Sequence, residues 1–415
     1  MGDKSNKTIE NASMVSADLS SLKTELQEEL HHLLNFWSTE AIDTKHSGFL
    51  GQMNHYGEKF PEAPKGTILN TRILWTFSAA YRTTKIEKYK EIADISYQYI
   101  NDYFLDPLNG GVFWELDYLG NPVNKRKQAY AQSFTIYGFS EYYRATKNPE
   151  SLNKAKALYQ LIEANFWDNE HSGYIEALTE NWTPIDDMRL SEKDLNAPKS
   201  MNTHLHILEA YSNLYRIWSD ERLKKNIIDL LNIFQNKIID KNNGHFNLFF
   251  GMDWESKADI ISYGHDIEGA WLLHEAAEVI DDKNCIETIR KVALNLVDIT
   301  LKEGLDTDGS LFNEFGHGTL DKDKHWWPQA EAMVGLMDAY KIDPKPAYLT
   351  SIYKLWTFIK THLIDTVNGE WFWRVDSHGK PITTDDKVGF WKCPYHNSRA
   401  LMELTERIEK LNHVK

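Results

Sequence analysis

Three histidines in apolar segments of this chain stand next to residues that suit proton-transfer chemistry. His206 follows Asn202 by four residues in MNTHLHILEAY. His265 precedes Glu268 by three residues in GHDIEGAWLL, and His396 lies in KCPYHNSRA. Residues three or four apart share one face of a helix, and the ordinary histidine pKa of about 6.5 makes both protonation states accessible. The pattern predicts general acid–base catalysis, with hydrogen bonding at a helix start as the alternative for each histidine taken alone.

Comparable apolar segments carry further polar and aromatic residues near their starts. Arg72 lies within TILNTRILWTFSAAYRT, where an ion pair in the core is an equally simple interpretation. Trp326 and Trp327 are adjacent, and they are either core residues or surfaces on which a sugar ring stacks. If the segments are placed alike, the set that converges with the histidines also includes Gln128, Tyr130, Gln132, Gln329, Glu331, Trp391 and Arg399.

Two neighbouring histidines, His204 and His206, cannot both point in the same direction on a helix. The step of four from Asn202 selects His206 as the one on its face. The other histidines lack such neighbours and are predicted to lie at the surface: His31, His32, His46, His55, His171, His245, His274, His317, His325, His362, His378 and His413.

A short element recurs six times along the chain. Each copy has an Asp, a few polar residues, a Gly and then alternating large residues, which is typical of a turn leading into a short strand. The spacing of roughly 60–70 residues leaves room for two helices per copy. The copies begin at Asp43, Asp106, Asp168, Asp240, Asp306 and Asp365.

The intervening segments alternate between two helical patterns. One has a single apolar stripe and is predicted to lie outside, whereas the other is apolar nearly all round and is predicted to be buried. Outer helices are predicted near 17–39, 86–105, 149–167, 220–239, 281–303 and 345–364, and inner helices near 67–83, 128–146, 199–218, 263–280, 325–341 and 391–412.

Six helices of each kind predict an all-α (α/α)6 barrel, with short β-hairpins at one end where the inner helix starts converge. An open helical solenoid is the alternative, but six copies without a polar cap at either end favour closure. Residues 17–415 are predicted to form one domain, and the largely polar residues 1–16 to be disordered.

The composition narrows the classes of function. A formal net charge of −15 disfavours a nucleic-acid partner. Cys285 and Cys393 form neither a disulfide framework nor a zinc signature, and they favour a reducing, cytoplasmic compartment. No secretory signal or membrane-spanning run is expected. The 14 Trp and 20 Tyr residues indicate either a large core or sugar stacking.

Metal and nucleotide cofactors are not expected. Three histidines could bind zinc, but there is no HExxH motif or cysteine cluster, and Arg72 is expected nearby. The chain also lacks a GxxxxGK loop and a GxGxxG motif after a strand.

The three histidine segments together resemble the cellobiose 2-epimerases of the N-acylglucosamine 2-epimerase superfamily, over about residues 20–410. The resemblance implies an (α/α)6 barrel and metal-free epimerisation of the reducing-end sugar of cellobiose, lactose or mannobiose. It implies an acid/base pair of His265 and His396, with Glu268 orienting His265. His206 and Arg72 would handle the O1/O5 region and the enolate oxygen. Sugar contacts are implied for Tyr130, Asn202, Asp194, Trp327 (or its neighbour Trp326), Glu331 and Trp391.

Inversion at C2 without a redox cofactor requires an acidic C–H bond, which only the open aldehyde form provides. Two bases on opposite walls would remove the proton and return one to the other face, through an enolate held by a cation or hydrogen bonds. A disaccharide is the expected partner, with a monomer as the expected oligomeric state. Action on N-acylglucosamine or mannose, glycoside hydrolysis by two carboxylates, and a non-catalytic sugar-binding module are the alternatives.

Overall fold

The two helical patterns of the sequence produce two kinds of helix in the computed structural model, which describes the backbone of residues 2–413 and the side chains of residues 19–411. On α2, every residue from Thr67 to Ala80 is buried. On α7, by contrast, a stripe that includes Leu223, Ile227 and Leu230 is buried while the opposite face is charged. The inner helices are α2 (Thr67–Thr84), α4 (Ala129–Thr146), α6 (Met201–Tyr215), α8 (Tyr263–Ile280), α10 (Trp326–Ile342) and α12 (Tyr395–His413). The outer helices are α1 (Gly2–Thr39), α3 (Glu87–Tyr99), α5 (Pro149–Asn165), α7 (Glu221–Ile233), α9 (Lys283–Glu303) and α11 (Pro346–Phe358).

The inner helices form a closed ring. Each packs on the next, from α2 through α4, α6, α8 and α10 to α12, and α12 packs back on α2. The first outer helix, α1, also packs on the last inner helix, α12. The predicted (α/α)6 barrel is therefore confirmed, and the open solenoid is excluded. None of the helices in the described part of the chain is long and apolar enough to cross a membrane. The prediction of disorder over residues 1–16 falls on residues whose side chains are not described, and it stays a prediction.

Short strands tie adjacent repeats together at one end of the barrel. The strand before an inner helix pairs antiparallel with a strand of the following repeat, as in β1–β2, β4–β5, β6–β7, β8–β9 and β11–β12. A bridge between Met53 and Val388 joins the last repeat to the first. The strands are β1 (Lys65–Gly66), β2 (Glu115–Leu116), β3 (Pro122–Asn124), β4 (Lys127–Gln128), β5 (Ala177–Leu178), β6 (Lys199–Ser200), β7 (Phe249–Phe250), β8 (Ile260–Ser262), β9 (Glu314–Gly316), β10 (Thr319–Asp321), β11 (Lys324–His325) and β12 (Arg374–Val375).

The recurring Asp of the six elements has a structural role. Its carboxylate accepts backbone N–H groups of its own turn, as Asp106 does from Leu108 and Asn109. In five copies the same carboxylate also binds a buried lysine, which lies two residues before an inner helix in four copies and eight residues before α12 in the fifth. These pairs are Asp43–Lys65, Asp106–Lys127, Asp168–Lys199, Asp306–Lys324 and Asp365–Lys387, at 2.7–2.8 Å. The repeated Asp is thus part of the scaffold that orients the inner helix starts.

A polar residue in the first turn of the inner helices clamps the preceding hairpin. Gln132 exchanges two hydrogen bonds with the backbone of residue 112, and Gln329 does the same at residue 311. His204 accepts the backbone N–H of residue 174, and Asp266 that of residue 246. Gln132 and Gln329 therefore belong to the framework and not to the converging site.

The prediction that the remaining histidines lie at the surface is wrong for three of those whose side chains are described, and His413 lies outside the described side chains. His245 is 1% exposed and lies 2.7 Å from Asp266, and His274 is equally buried, 2.7 Å from Asp338. His55 is also buried. Carboxylates from other parts of the chain satisfy His245 and His274, and sequence spacing does not reveal such partners.

Candidate active site

The predicted histidines lie on three inner helices and face one region at the hairpin end of the barrel. His265 and His396 lie in the first turns of α8 and α12, and both rings pack against the indole of Trp327 from α10. Their ring centroids lie 4.7 and 5.7 Å from the Trp327 ring. His206 of α6 packs against Tyr130 of α4, with ring centroids 5.0 Å apart. The two imidazoles that the acid–base prediction pairs are thus both in contact with one aromatic ring.

Two of the three histidines are anchored by carboxylates. His206 Nδ1 lies 2.8 Å from Glu209 Oε2, one helical turn along α6. His396 Nδ1 lies 2.6 Å from Glu331 Oε1 of α10. A carboxylate at Nδ1 fixes the ring orientation and stabilises the imidazolium form.

His265 has a different partner. Its Nδ1 atom lies 2.8 Å from the hydroxyl oxygen of Ser262, the last residue of β8. Within residues 19–411, no group forms a hydrogen bond with the Nε2 atom of His206, His265 or His396. A ring held at Nδ1 leaves Nε2 available to exchange a proton with a ligand.

The expected contact between Glu268 and His265 does not form. Glu268 Oε1 instead accepts a 2.7 Å hydrogen bond from Arg399 Nη2, and it lies 3.8 Å from His396 Nδ1. The local spacing of three residues is compatible with the predicted contact, but a buried cation on α12 competes for the carboxylate. Glu268 therefore lies beside the other histidine of the pair.

Arg399 joins the carboxylates of the site into one buried network. Its guanidinium binds Glu209, Glu268 and Glu331, with 2.7 Å hydrogen bonds to the last two, and it also contacts the hydroxyl of Tyr395. Arg399 is 1% exposed, so these contacts are formed away from solvent. Charge-assisted hydrogen bonds of this kind are strong where the dielectric constant is low. Arg399 thus connects the carboxylate of His206 with that of His396.

Burial keeps the three imidazoles uncharged in the free protein. It lowers the pKa of His265 to about 3, with a further contribution from His206. It also lowers the pKa of His396 well below its usual value, and the charges of Arg72 and Arg399 act in the same direction. The pKa of His206 is lowered too, because burial outweighs the effect of its carboxylate partner. All three rings are therefore available as bases.

The carboxyl groups divide into two kinds. Burial would raise the pKa of Glu209, but the charge of Arg399 and the hydrogen bond from His206 lower it to about 2. Burial and the neighbouring Glu331 raise the pKa of Glu268 well above its usual value. Glu209 is thus a permanent anion. Burial also raises the pKa of Glu331, although the charge of Arg399 and its hydrogen bond act in the opposite direction.

Arg72 is a buried cation without an anionic partner. It is 3% exposed, and no carboxylate of residues 19–411 lies within 4.0 Å of it. Arg72 Nη2 donates to the hydroxyl of Tyr130 at 2.9 Å, and the guanidinium lies over the rings of Phe134 and Tyr395, 4.3 and 4.8 Å from their centroids. The predicted alternative, a core ion pair, is therefore wrong. A desolvated positive charge of this kind suits an anion that forms during a reaction.

The two adjacent tryptophans have different environments. Trp326 is 3% exposed, packs on Trp373 at 4.9 Å and lies under the ammonium group of Lys392. Trp327 is half-buried and contacts both histidines of the pair. Gly264 permits this approach, because a Cβ atom there would lie 2.6 Å from the Trp327 ring. Trp327 is therefore the site-facing tryptophan, and Trp326 belongs to the supporting core.

A cavity of about 360 Å³ opens beside His265. Asn202 and Asp194 line it, their contacts with sugar remain a prediction, and Asn202 Oδ1 is buried without a hydrogen-bond partner. The carboxylate of Asp194 accepts hydrogen bonds from the backbone and hydroxyl of Ser191, which hold its loop. Tyr130 and Trp391 are not among the residues that line this cavity, and they contact each other with ring centroids 5.8 Å apart. Glu331, also predicted to contact sugar, is fully buried, and its Oε1 atom lies 2.6 Å from Nδ1 of His396.

Sequence reasoning missed several residues of this region. Glu209 follows His206 by three residues, so the helical spacing used for Glu268 would have found it. Ser262 precedes His265 by three, but it lies in a strand and not in the helix. Glu176 lies next to a hairpin strand, is 3% exposed, lines the cavity, and has a pKa raised to about 7 by burial. Only the fold brings Glu176 to this region.

One group of ligand atoms in the site could hold a cation. Atoms of Glu268, Glu331 and His396 lie within 4.8 Å of one another. However, Arg399 donates hydrogen bonds to both carboxylates, and Glu331 Oε1 also forms a hydrogen bond with Nδ1 of His396. The donor set is thus already satisfied by a guanidinium and an imidazole, so it does not fit a metal ion.

The family model of N-acylglucosamine 2-epimerase (GlcNAc 2-epimerase) matches residues 48–400, which include all three site histidines. A cellobiose 2-epimerase of Bacteroides fragilis is 48% identical over 386 residues, covering 92% of this chain and 98% of that protein. The chain belongs to the cellobiose 2-epimerase family. It is accordingly an epimerase, an enzyme of the isomerase class.

Further members of the family agree in sequence and in structure. The cellobiose 2-epimerase of Dictyoglomus turgidum is 40% identical, covering 94% of this chain and all of that protein. The structure of cellobiose 2-epimerase from Bacillus thermoamylovorans superposes with a TM-score of 0.90 at 39% identity. It is matched over its whole length by 94% of this chain. The family assignment therefore extends over nearly the whole barrel.

Proposed function

We propose that this chain epimerises the reducing-end sugar of β-1,4-linked disaccharides at C2, with cellobiose, lactose and mannobiose as candidate substrates. The observation that carries the proposal is the placement of His265 and His396 around Trp327, each anchored at Nδ1 with Nε2 unoccupied. The B. fragilis and D. turgidum proteins are both cellobiose 2-epimerases.

The reaction starts with opening of the pyranose ring, because the closed form has no acidic hydrogen at C2. One imidazole removes the C2 proton and becomes an imidazolium, leaving an enolate. The other imidazole takes up a proton from water before this step, delivers it to the opposite face of C2 and becomes neutral again. The first imidazole then releases the C2 proton to water, so both rings return to the neutral form and protons and charge balance over the cycle. Glu331, at 2.6 Å from His396, provides the counter-charge for a proton on that ring.

The enolate oxygen requires a positive or hydrogen-bonding partner. Arg72 suits this role because it is buried, charged and free of carboxylate contacts. His206 lies against Tyr130, the residue to which Arg72 donates, and its Nε2 atom is unoccupied. We assign both residues to the O1 side of the open-chain sugar.

The alternative of glycoside hydrolysis requires two carboxylates across a scissile bond. Glu268 and Glu331 do not meet this requirement, because both bind the same nitrogen of Arg399. Glu176 and Glu314 both line the cavity, but Glu314 is exposed and Glu176 accepts a 2.7 Å hydrogen bond from the hydroxyl of Thr203.

Incubation with each disaccharide in D2O tests the proposal. The expected product is a disaccharide of the same composition that carries one deuterium at C2 of its reducing end. N-Acylglucosamine and mannose in parallel reactions report the alternative substrates. Release of monosaccharides, or retention of the original C2 hydrogen in most of the product, would refute the two-base mechanism.

A further inference from the structure

Ser262 occupies the N-cap position of α8, with φ −106° and ψ 103°. The hydroxyl of a serine at this position ordinarily accepts a backbone N–H of the first helical turn, which stabilises the helix. Ser200 does so at the start of α6, where its hydroxyl accepts the N–H of Thr203 at 3.1 Å. Asn148, Asp220 and Asp282 cap their helices in the same way.

The hydroxyl of Ser262 makes no such capping bond. It lies instead 2.8 Å from Nδ1 of His265, and the residue is 6% exposed. Ser262 therefore has the backbone conformation of a capping residue, but its hydroxyl contacts the imidazole of His265. Helix stability does not explain this arrangement, since the capping bond is worth about 1 kcal/mol to a helix.

The backbone of Ser262 is held from two sides. It ends β8, where it pairs with Glu314 of β9, and α8 begins at the next residue. The β8–β9 pair is part of a three-stranded sheet with β10. A hydroxyl on this backbone has little positional freedom, so it defines where the His265 ring can lie.

We propose that Ser262 is the positioning residue of His265, holding Nδ1 so that Nε2 points at the C2 carbon of the substrate. This inference rests on the proposed function for its chemistry, but the contact itself is independent of it. Ser262 takes the place that Glu268 was predicted to have. The neutral hydroxyl also distinguishes His265 from His206 and His396, whose partners are carboxylates.

The consequence is an asymmetry between the two catalytic imidazoles. A carboxylate stabilises an imidazolium more than a hydroxyl does. His206 of α6 and Glu331 of α10 act on His265 electrostatically, and His396 of α12 lies across Trp327. Glu176, Asp194, Glu314 and His325 line the same cavity as His265. Within residues 19–411, no carboxylate forms a hydrogen bond with His265, so the two imidazoles differ in the group that compensates a proton on Nδ1.

The test compares Ser262→Ala and Ser262→Thr with the matched control Ser212→Ala in the full-length enzyme. Ser212 is also a buried serine of an inner helix, and its hydroxyl donates only to the backbone of residue 208. Ser262→Ala should lower kcat about 10-fold to 100-fold, as loss of an orienting partner typically does, while KM changes by less than about 3-fold. Ser262→Thr should restore most of kcat, because it retains the hydroxyl.

Thermal unfolding separates this role from a structural one. Because Ser262 does not cap α8, its replacement by Ala should leave Tm near that of the wild type. A kcat for Ser262→Ala equal to that of the Ser212→Ala control would overturn the proposal. The proposal would also be overturned if Ser262→Ala lost kcat together with Tm and Ser262→Thr did not restore kcat.

Nitrogen-15 NMR of the histidine rings gives a readout that does not depend on turnover. In the wild type, the His265 signals, assigned with a His265→Gln variant, should report a single tautomer with the proton on Nδ1. Ser262→Ala should change the shifts of this ring and not those of His396. Unchanged His265 shifts would contradict the positioning role even if the wild type acts on none of the tested sugars. That last result would by itself refute only the proposed function.

Discussion

Replacement of Arg72 by methionine separates the electrostatic role of this residue from any role in folding. If Arg72 faces the enolate oxygen, one positive charge at about 4 Å contributes about 4 kcal/mol at an effective dielectric constant of about 20. Each 1.36 kcal/mol corresponds to about a factor of ten in rate. Arg72→Met should therefore lower kcat about 1,000-fold, at the upper end of what loss of one oxyanion-hole donor usually costs.

The effect of Arg72→Met on stability should be small. Methionine removes a buried charge that no carboxylate compensates, but it also removes the contacts with the rings of Phe134 and Tyr395. Such cation–π contacts contribute about 2 kcal/mol when desolvated. The two effects oppose each other, so the free energy of unfolding should change by less than about 2 kcal/mol.

Arg82→Met is the matched control, because Arg82 lies on the same helix and pairs with buried Glu141 at 2.6 Å. Its loss leaves Glu141 with Arg144 as a remaining partner. Removing one partner of a fully buried ion pair lowers the free energy of unfolding by about 3–5 kcal/mol. Because the Arg82 side chain is 26% exposed, a smaller loss of about 1–3 kcal/mol is expected. Arg82→Met should thus lower stability and retain kcat, the reverse of Arg72→Met.

The assay measures kcat for cellobiose by chromatography, C2 exchange by proton NMR in D2O, and unfolding by circular dichroism. Since the proposed charge stabilises the enolate, epimerisation and C2 exchange should fall by the same factor in Arg72→Met. Arg72→Lys should have a kcat about 10-fold higher than that of Arg72→Met, because lysine keeps the charge but not the planar donor geometry. A kcat for Arg72→Met within 10-fold of the wild type, or an equal loss in Arg82→Met, would refute this reasoning.

Three further predictions concern the groups around the site. Glu331→Gln should lower kcat about 10-fold to 100-fold with little change in KM, because His396 loses its anionic partner, and unchanged steady-state kinetics would contradict this. His204→Ala should leave turnover intact but lower the free energy of unfolding in urea by about 1–3 kcal/mol, since a buried backbone amide loses its acceptor; wild-type stability would count against the clamp. Burial raises the pKa of Asp106, but the hydrogen bond from Lys127 and those from the turn outweigh it and lower the pKa to about 2. Because this folded value lies below the ordinary one, the contribution of the carboxylate to stability is present above about pH 4 and lost as pH falls towards 2. Asp106→Asn should therefore reduce the difference between Tm at pH 7 and at pH 3, and an unaltered pH dependence would argue against the pair.

The architecture was readable in the sequence because its causes are local and repeated. A full apolar surface on α2 and a single stripe on α7 follow directly from residue spacing, and six copies of both patterns leave few ways to pack them. The same kind of spacing selected His206 over His204. In the structure, His204 clamps the hairpin backbone and His206 contacts Tyr130.

The partners of the site residues were decided by the tertiary structure. Glu268 was expected beside His265, but Arg399, which is 131 positions away, takes its carboxylate. Glu331 is hydrogen-bonded to His396 Nδ1, a partner from another helix that the sequence did not indicate. Helical spacing specifies which face of its own helix a side chain occupies. It does not specify which charged side chains of other helices contact that face. In a buried site each carboxylate binds the cation or hydrogen-bond donor that compensates its desolvation best, and only the packing of the inner helices brings these groups within reach.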